Sequence, residues 1–278
     1  MSIRDTDGVP AIRDSNGSGV RSEYRAWLFG PFRVTRDDEP LGEPTWPRAS
    51  ARKLLKWLLL NPGESSGGTD LCDLLWPGRR SKDCTNRLHV TLHCLRQILE
   101  PDLARQQAST FIRTDRHGRY WFEPAGCWWL DVLETERLWQ AARSARRNRD
   151  RAAAIVLYQQ VISYYEQTFL PEDIYDDAFD PFRTSHGRRY DAVLRELLDL
   201  YLHEGLNYEV ISCASALLEN DPYSELAMRA IAEVNLREGN VTRASTELDR
   251  FVWTIEHDLG TAPGKDLLEL RRRIRLLG

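Results

Sequence analysis

Two histidines, His89 and His93, stand four residues apart in SKDCTNRLHVTLHCLRQIL, so both imidazoles fall on one face if the segment is helical. Such a pair can ligate a metal. HVTLH, however, has Val90 where the HExxH pattern needs its general base, and Cys94 is adjacent to His93 rather than a turn away. No metal is expected there. Lys82, Thr85, Asn86, Arg96 and Gln97 recur with the two histidines at steps of three or four, making a face of hydrogen-bonding and basic groups with almost no acid. Groups of these types contact base edges and phosphates in the major groove of double-stranded DNA. Arg79 and Arg80 precede the segment, and Arg113, Arg116, His117 and Arg119 gather after it, where they would neutralise phosphates. Enzyme chemistry has no comparable footing. GxGxxG, GxxxxGK[ST] and GxSxG are all missing, and no nucleophile–base pair stands out. Asp176, Asp177 and Asp180 read as helix-capping acids rather than a cation site. The expectation is a protein that is not an enzyme and takes no cofactor.

The elements that must position these residues follow from punctuation and period. YRAWLFGPFRVTR, residues 24–36, is aromatic and β-branched with a Gly30-Pro31 break, and reads as short strands followed by turns around a minor strand. From about Ser50 the period changes: Ala51, Leu54, Leu55, Leu58 and Leu59 define a helix stopped by Asn61-Pro62-Gly63. Thr69-Asp70 opens a short second helix that Pro77-Gly78 closes. Ser81 then begins a third, whose buried stripe is Cys84, Leu88, Leu92, Leu95 and Leu99. TFIRT and RYWFE flank Asp115-Arg116-His117-Gly118 and read as a β-hairpin. Strands, three helices and a terminal hairpin make the layout of a winged helix-turn-helix, with the third helix for recognition and the hairpin as wing.

From Asp131 the pattern is almost wholly helical, with breaks at Asn148, 205–207, 221–222, 239–240 and 262–263. Glu204-Gly205 recurs as Glu238-Gly239, a spacing of 34 residues, which is the tetratricopeptide period. Small residues such as Ala214, Ala216, Ala230, Ala232 and Ala244 sit where paired helices approach closely. Tyr158, Tyr164, Tyr165, Tyr201 and Tyr208 fit core positions better than a binding groove. The fold class expected is mainly α in two domains: an α+β winged helix-turn-helix, then an all-α tetratricopeptide-like repeat domain. The boundaries are a tail over 1–23, a DNA-binding domain over 24–124 and a repeat domain over 125–278.

The chain is similar to the Streptomyces antibiotic regulatory protein (SARP) family, in which an OmpR-like winged helix is fused to a bacterial transcriptional activation domain. DLLWPGRRSKDCTNRLHVTLHCLRQIL carries the resemblance in the first half: Asn86, Leu88, Val90, Leu92, Leu95 and Arg96 match the family's recognition helix. Thr114, Arg116, Tyr120 and Phe122 match its wing. Cys94 replaces a usual basic residue, Gly118 lies one residue early, and His89 and His93 are not fixed by the pattern. In the second half, FLPEDIYDDAF, the repeats and HDLGTAPGKDLLELRRRI resemble the activation domain. The resemblance implies a sequence-specific activator that sits on promoter direct repeats, with RNA polymerase and further protomers as partners. The alternative is a repeat scaffold whose winged helix no longer binds DNA.

Composition agrees with that class. A net charge of −4 over 278 residues hides a basic stretch, 45–120, inside an otherwise acidic chain. No run is long and apolar enough for a membrane span, and the start lacks a secretion signal, so a cytoplasmic location is expected. The five cysteines form no CxxC and are expected to be reduced thiols. About 23 residues before the first strand leave no room for a phosphoacceptor receiver domain, which sets the chain apart from an ordinary response regulator.

Overall fold

The structure is a computed structural model that describes residues 23–42, 46–78, 81–104 and 107–277, with residues 81 and 82 described for their backbone alone. The tail expected over 1–23 lies outside the described residues except for Glu23. A first sheet has the order β3-β2-β1-β7, built from β1 (Tyr24–Trp27), β2 (Arg33–Arg36), β3 (Glu39–Pro40) and β7 (Trp128–Leu130). Three helices follow the first three strands: α1 (Ala49–Leu60), α2 (Gly68–Leu75) and α3 (Ser81–Leu99). A second sheet, β4-β6-β5, joins β4 (Ser66–Gly67), β6 (Arg119–Phe122) and β5 (Ile112–Thr114). This is a winged helix with the expected element order. The apolar stripes of α1 and α3 meet in one core with Phe111, Ile112 and Phe122 of the wing. The sequence reading opened α2 on Thr69-Asp70; the helix starts at Gly68, and Asp70 reaches back to accept from the Gly67 N–H at 3.1 Å.

Seven helices follow: α4 (Asp131–Arg147), α5 (Arg151–Tyr165), α6 (Asp180–Glu204), α7 (Asn207–Asn220), α8 (Glu225–Arg237), α9 (Val241–Leu259) and α10 (Lys265–Arg275). They stack as consecutive pairs, and the 34-residue repeat shows in the turns: Gly205 and Gly239 hold φ of 70° and 78°, which side-chain-bearing residues adopt at a cost. Ala214, Ala230, Ala232 and Ala244 are buried where the helices cross. Tyr158 and Tyr201 are core residues, Tyr164 and Tyr165 are part-buried against the packed core, and Tyr208 is 83% exposed.

The two halves share structure as well as sequence. β7 runs parallel to β1 with Tyr24 opposite Trp128, so the first sheet is completed by residues beyond the wing. The segment before α6 then returns to the far end of β1: the Gly30 N–H donates to Thr168 O and the Leu170 N–H to Leu28 O, both at 2.9 Å. Phe169, Leu170 and Phe179 enter the winged-helix core. Acids of this return segment meet the basic flank of α1. Arg52 binds Glu172 at 2.8 Å, Lys53 binds Asp176 at 2.6 Å, and the fully buried Lys56 binds Asp173. Asp176 also caps the Ala178 N–H, and Asp180 pairs with Arg183, which accounts for the acids expected to cap rather than ligate.

Candidate nucleic-acid interface

The third helix presents its faces as its period dictates. Cys84, Leu88, Leu92, Leu95 and Leu99 are 2% exposed or less, and Thr91 is buried beside them with its hydroxyl 3.1 Å from Ser50 Oγ. Opposite them Thr85, Asn86, His89, His93 and Gln97 are exposed together. Lys82 begins the same face, but its side chain lies outside the described residues, as do Arg79 and Arg80 entirely. Two further exposed residues on this helix escaped the sequence reading. Arg87 flanks the face, and Val90 lies within it, four residues after Asn86 and three before His93. Helical spacing alone places Val90 there; its apolar character led it to be grouped with the core.

Arg96 corrects the expected pattern. Its guanidinium turns away from the exposed face and donates to Ile112 O at 3.0 Å and to Thr114 Oγ1 at 3.1 Å. The side chain is half-buried, and burial lowers its pKa from the ordinary arginine value. The reason is geometric: Arg96 sits one turn from the helix end, where α3 passes over β5, so the nearest acceptors belong to the wing. A cleft of about 490 Å³ remains between helix and wing, lined by His89, Leu92, Arg96, Arg113, Thr114 and Tyr120 among others.

The wing is a tight hairpin. Asp115 accepts from the His117 and Arg119 N–H groups, each at 2.9 Å, and these bonds, that from Arg119 foremost, hold its carboxyl below the usual range. Gly118 supplies the positive φ of 71° that closes the turn. Arg113, Arg116 and His117 project from the hairpin as exposed side chains, with Arg116 Nε donating to His117 Nε2 at 3.2 Å. Arg119 is exposed as well, yet it donates to Ser65 Oγ at 2.9 Å and Ser65 O at 2.6 Å, which ties the wing to the strand ahead of α2.

A second correction concerns the thiols. Cys72 of α2 and Cys84 of α3 form a disulfide, their Cα atoms 5.9 Å apart, while Cys94, Cys127 and Cys213 are free. Both paired residues face the core at the junction of the two helices, so the fold juxtaposes them across a separation of 12 residues that no sequence pattern marks. Among the described residues no group of three His, Cys, Asp or Glu side chains is arranged to hold a metal, and no helix is long and apolar enough to cross a membrane.

Comparison with known proteins fits this geometry. Residues 130–275 match the Bacterial transcriptional activator domain family. Among solved structures the fold is similar to Mycobacterium tuberculosis EmbR, determined in complex with a low-affinity phosphopeptide. The TM-score is 0.76 at 19% identity, over 92% of this chain and 66% of that one, so this chain spans just under two thirds of that relative. The Sgt2 tetratricopeptide domain of Aspergillus fumigatus matches at a TM-score of 0.34 and 13% identity, over 51% of this chain and 77% of that one. No curated protein sequence matches significantly. With the family's domain covering more than half of its length and a winged helix ahead of it, the chain belongs to the bacterial transcriptional activator domain family and has the architecture of a SARP-type regulator.

Proposed function

We propose that the protein is a cytoplasmic, sequence-specific DNA-binding regulator, acting as an activator that places α3 in the major groove of promoter DNA and its wing against the adjacent backbone. The observation that carries this reading is the exposed face of α3. Thr85, Asn86, His89, His93 and Gln97 share one solvent-facing surface, and the exposed Arg113 and Arg116 of the wing stand beside it. A surface with donors, acceptors and cations in this order suits base edges flanked by phosphates. Protomers side by side on direct repeats, and contact with RNA polymerase through the repeat domain, belong to the same reading and rest on the family. Stacked helix pairs of this kind offer extended surfaces for protein contact.

The test is an affinity selection. Full-length protein is mixed with sheared genomic DNA, bound fragments are sequenced, and an Arg113→Ala/Arg116→Ala variant is run in parallel. Enriched fragments sharing a repeated motif, lost in the variant, are the expected result. An absence of enrichment even at low salt would instead identify a repeat scaffold whose winged helix serves protein contacts.

A further inference from the structure

Within the polar face of α3 one side chain has no hydrogen-bonding role to play. Val90 is 47% exposed, whereas Leu88, Leu92 and Leu95 of the same helix are 2% exposed or less. The core is therefore complete without it. Its position between Asn86 and His93 puts it near the midline of the face rather than at an edge against the protein. A β-branched residue inside a helix is held close to one χ1 rotamer, so its two methyl groups are aimed in a fixed direction before any partner arrives. The major groove offers one apolar feature to meet them, the 5-methyl group of thymine.

We propose that Val90 reads a thymine methyl near the centre of the bound site, which makes part of the specificity apolar. The inference rests on the DNA-binding reading above and adds a base to it. Asn86, one turn earlier on the same face, has the amide that pairs with the N6 and N7 edge of adenine. The centre of the helix thus favours A·T pairs, while the wing arginines bind without regard to sequence.

The experiment exchanges a single methyl group. Full-length protein selects duplexes from a random-sequence library, and the enriched duplex is resynthesised with each thymine in turn replaced by deoxyuridine, which keeps base pairing and removes the methyl. At one thymine the exchange is expected to weaken binding about fourfold, the transfer value of one buried methyl-sized group. Val90→Ala should bind the thymine and deoxyuridine duplexes equally, and Val90→Thr, which keeps one γ-methyl, should discriminate by an intermediate factor. Wild-type protein indifferent to every exchange overturns the assignment, as does a Val90→Ala variant with full discrimination. If no duplex is enriched at all, the DNA-binding reading itself fails and this inference with it.

Discussion

Arg96 and Thr114 are joined by a hydrogen bond of 3.1 Å from guanidinium to hydroxyl, and through it the third helix fixes the angle of the wing. The same guanidinium also holds Ile112 O at 3.0 Å, so a charge that the sequence offers to DNA is spent inside the protein. Helix and wing are thereby set as one surface before any duplex binds.

Arg96 and Arg116 should therefore fail in different ways. Arg116→Ala removes an exposed cation and is expected to flatten the dependence of log K on log salt by about one unit, for all sequences alike. Arg96→Ala is expected to weaken binding through a loosened wing while leaving that slope unchanged. Fluorescence anisotropy on one duplex across a salt series separates the two. A slope lowered by a full unit in Arg96→Ala would show that its guanidinium reaches a phosphate after all.

Much of this architecture is legible in the residues. Leu54, Leu55, Leu58 and Leu59 announce α1, Asn61-Pro62-Gly63 ends it, and Asp115 with Gly118 specifies the wing turn, because each of these is a local rule of period or backbone freedom. The exposed set on α3 follows from the same period. Arg96 was misread because spacing locates a Cα on a helix but does not say that β5 offers two acceptors nearby. Cys72 and Cys84 were misread for a similar reason, since their approach depends on how α2 packs on α3. The acids at 172, 173 and 176 look like loop acids in sequence; only the return of that segment to α1 turns them into partners of Arg52, Lys53 and Lys56.

The disulfide should be visible in solution as stability. Closing a loop of this size restricts the unfolded chain and contributes about 3 kcal/mol on the loop-entropy account. A thiol reductant is expected to lower the denaturant midpoint of the native protein and to leave that of a Cys72→Ala/Cys84→Ala variant where it was. Identical midpoints for the native protein with and without reductant would mean that the two thiols are unbonded.

Lys56 is expected to couple the two halves energetically. It is 1% exposed, and Asp173 and Glu172 supply its counter-charges from the segment ahead of α6. Burial lowers its pKa, with the hydrogen bond to Asp173 opposing that shift. Removing only the ammonium strands the carboxylates, so Lys56→Met should cost about 3–5 kcal/mol. Lys56→Met/Asp173→Asn should lose clearly less than the sum of the single changes, because the second substitution removes the stranded charge. Additive losses in a chemical-denaturation cycle would rule out the coupling.

Two titratable groups meet at Phe29, with opposite consequences for stability. The buried Asp131 carboxylate accepts from the Leu28 N–H at 2.6 Å and the Phe29 N–H at 2.8 Å, and burial pushes its pKa up to about 6 despite these bonds. His186 packs its ring 5.1 Å from that of Phe29, and burial pushes its pKa down to about 4, with Arg189 adding to the shift. A carboxyl raised on folding contributes stability that is complete below its unfolded value and is lost as pH rises through about 6. A histidine lowered on folding does the reverse: its contribution is complete above its unfolded value and is lost as pH falls towards about 4. Each shift corresponds to about 3 kcal/mol, and the windows overlap, so the two slopes should nearly cancel between pH 4 and 6 in the native protein. His186→Phe should expose the Asp131 slope, with stability rising on acidification. Asp131→Asn should expose the histidine, with stability falling over the same range, on top of a pH-independent loss from the altered backbone bonds. Denaturant midpoints at half-unit pH steps decide the matter, and parallel curves for both variants and the native protein would remove the two groups from the pH response.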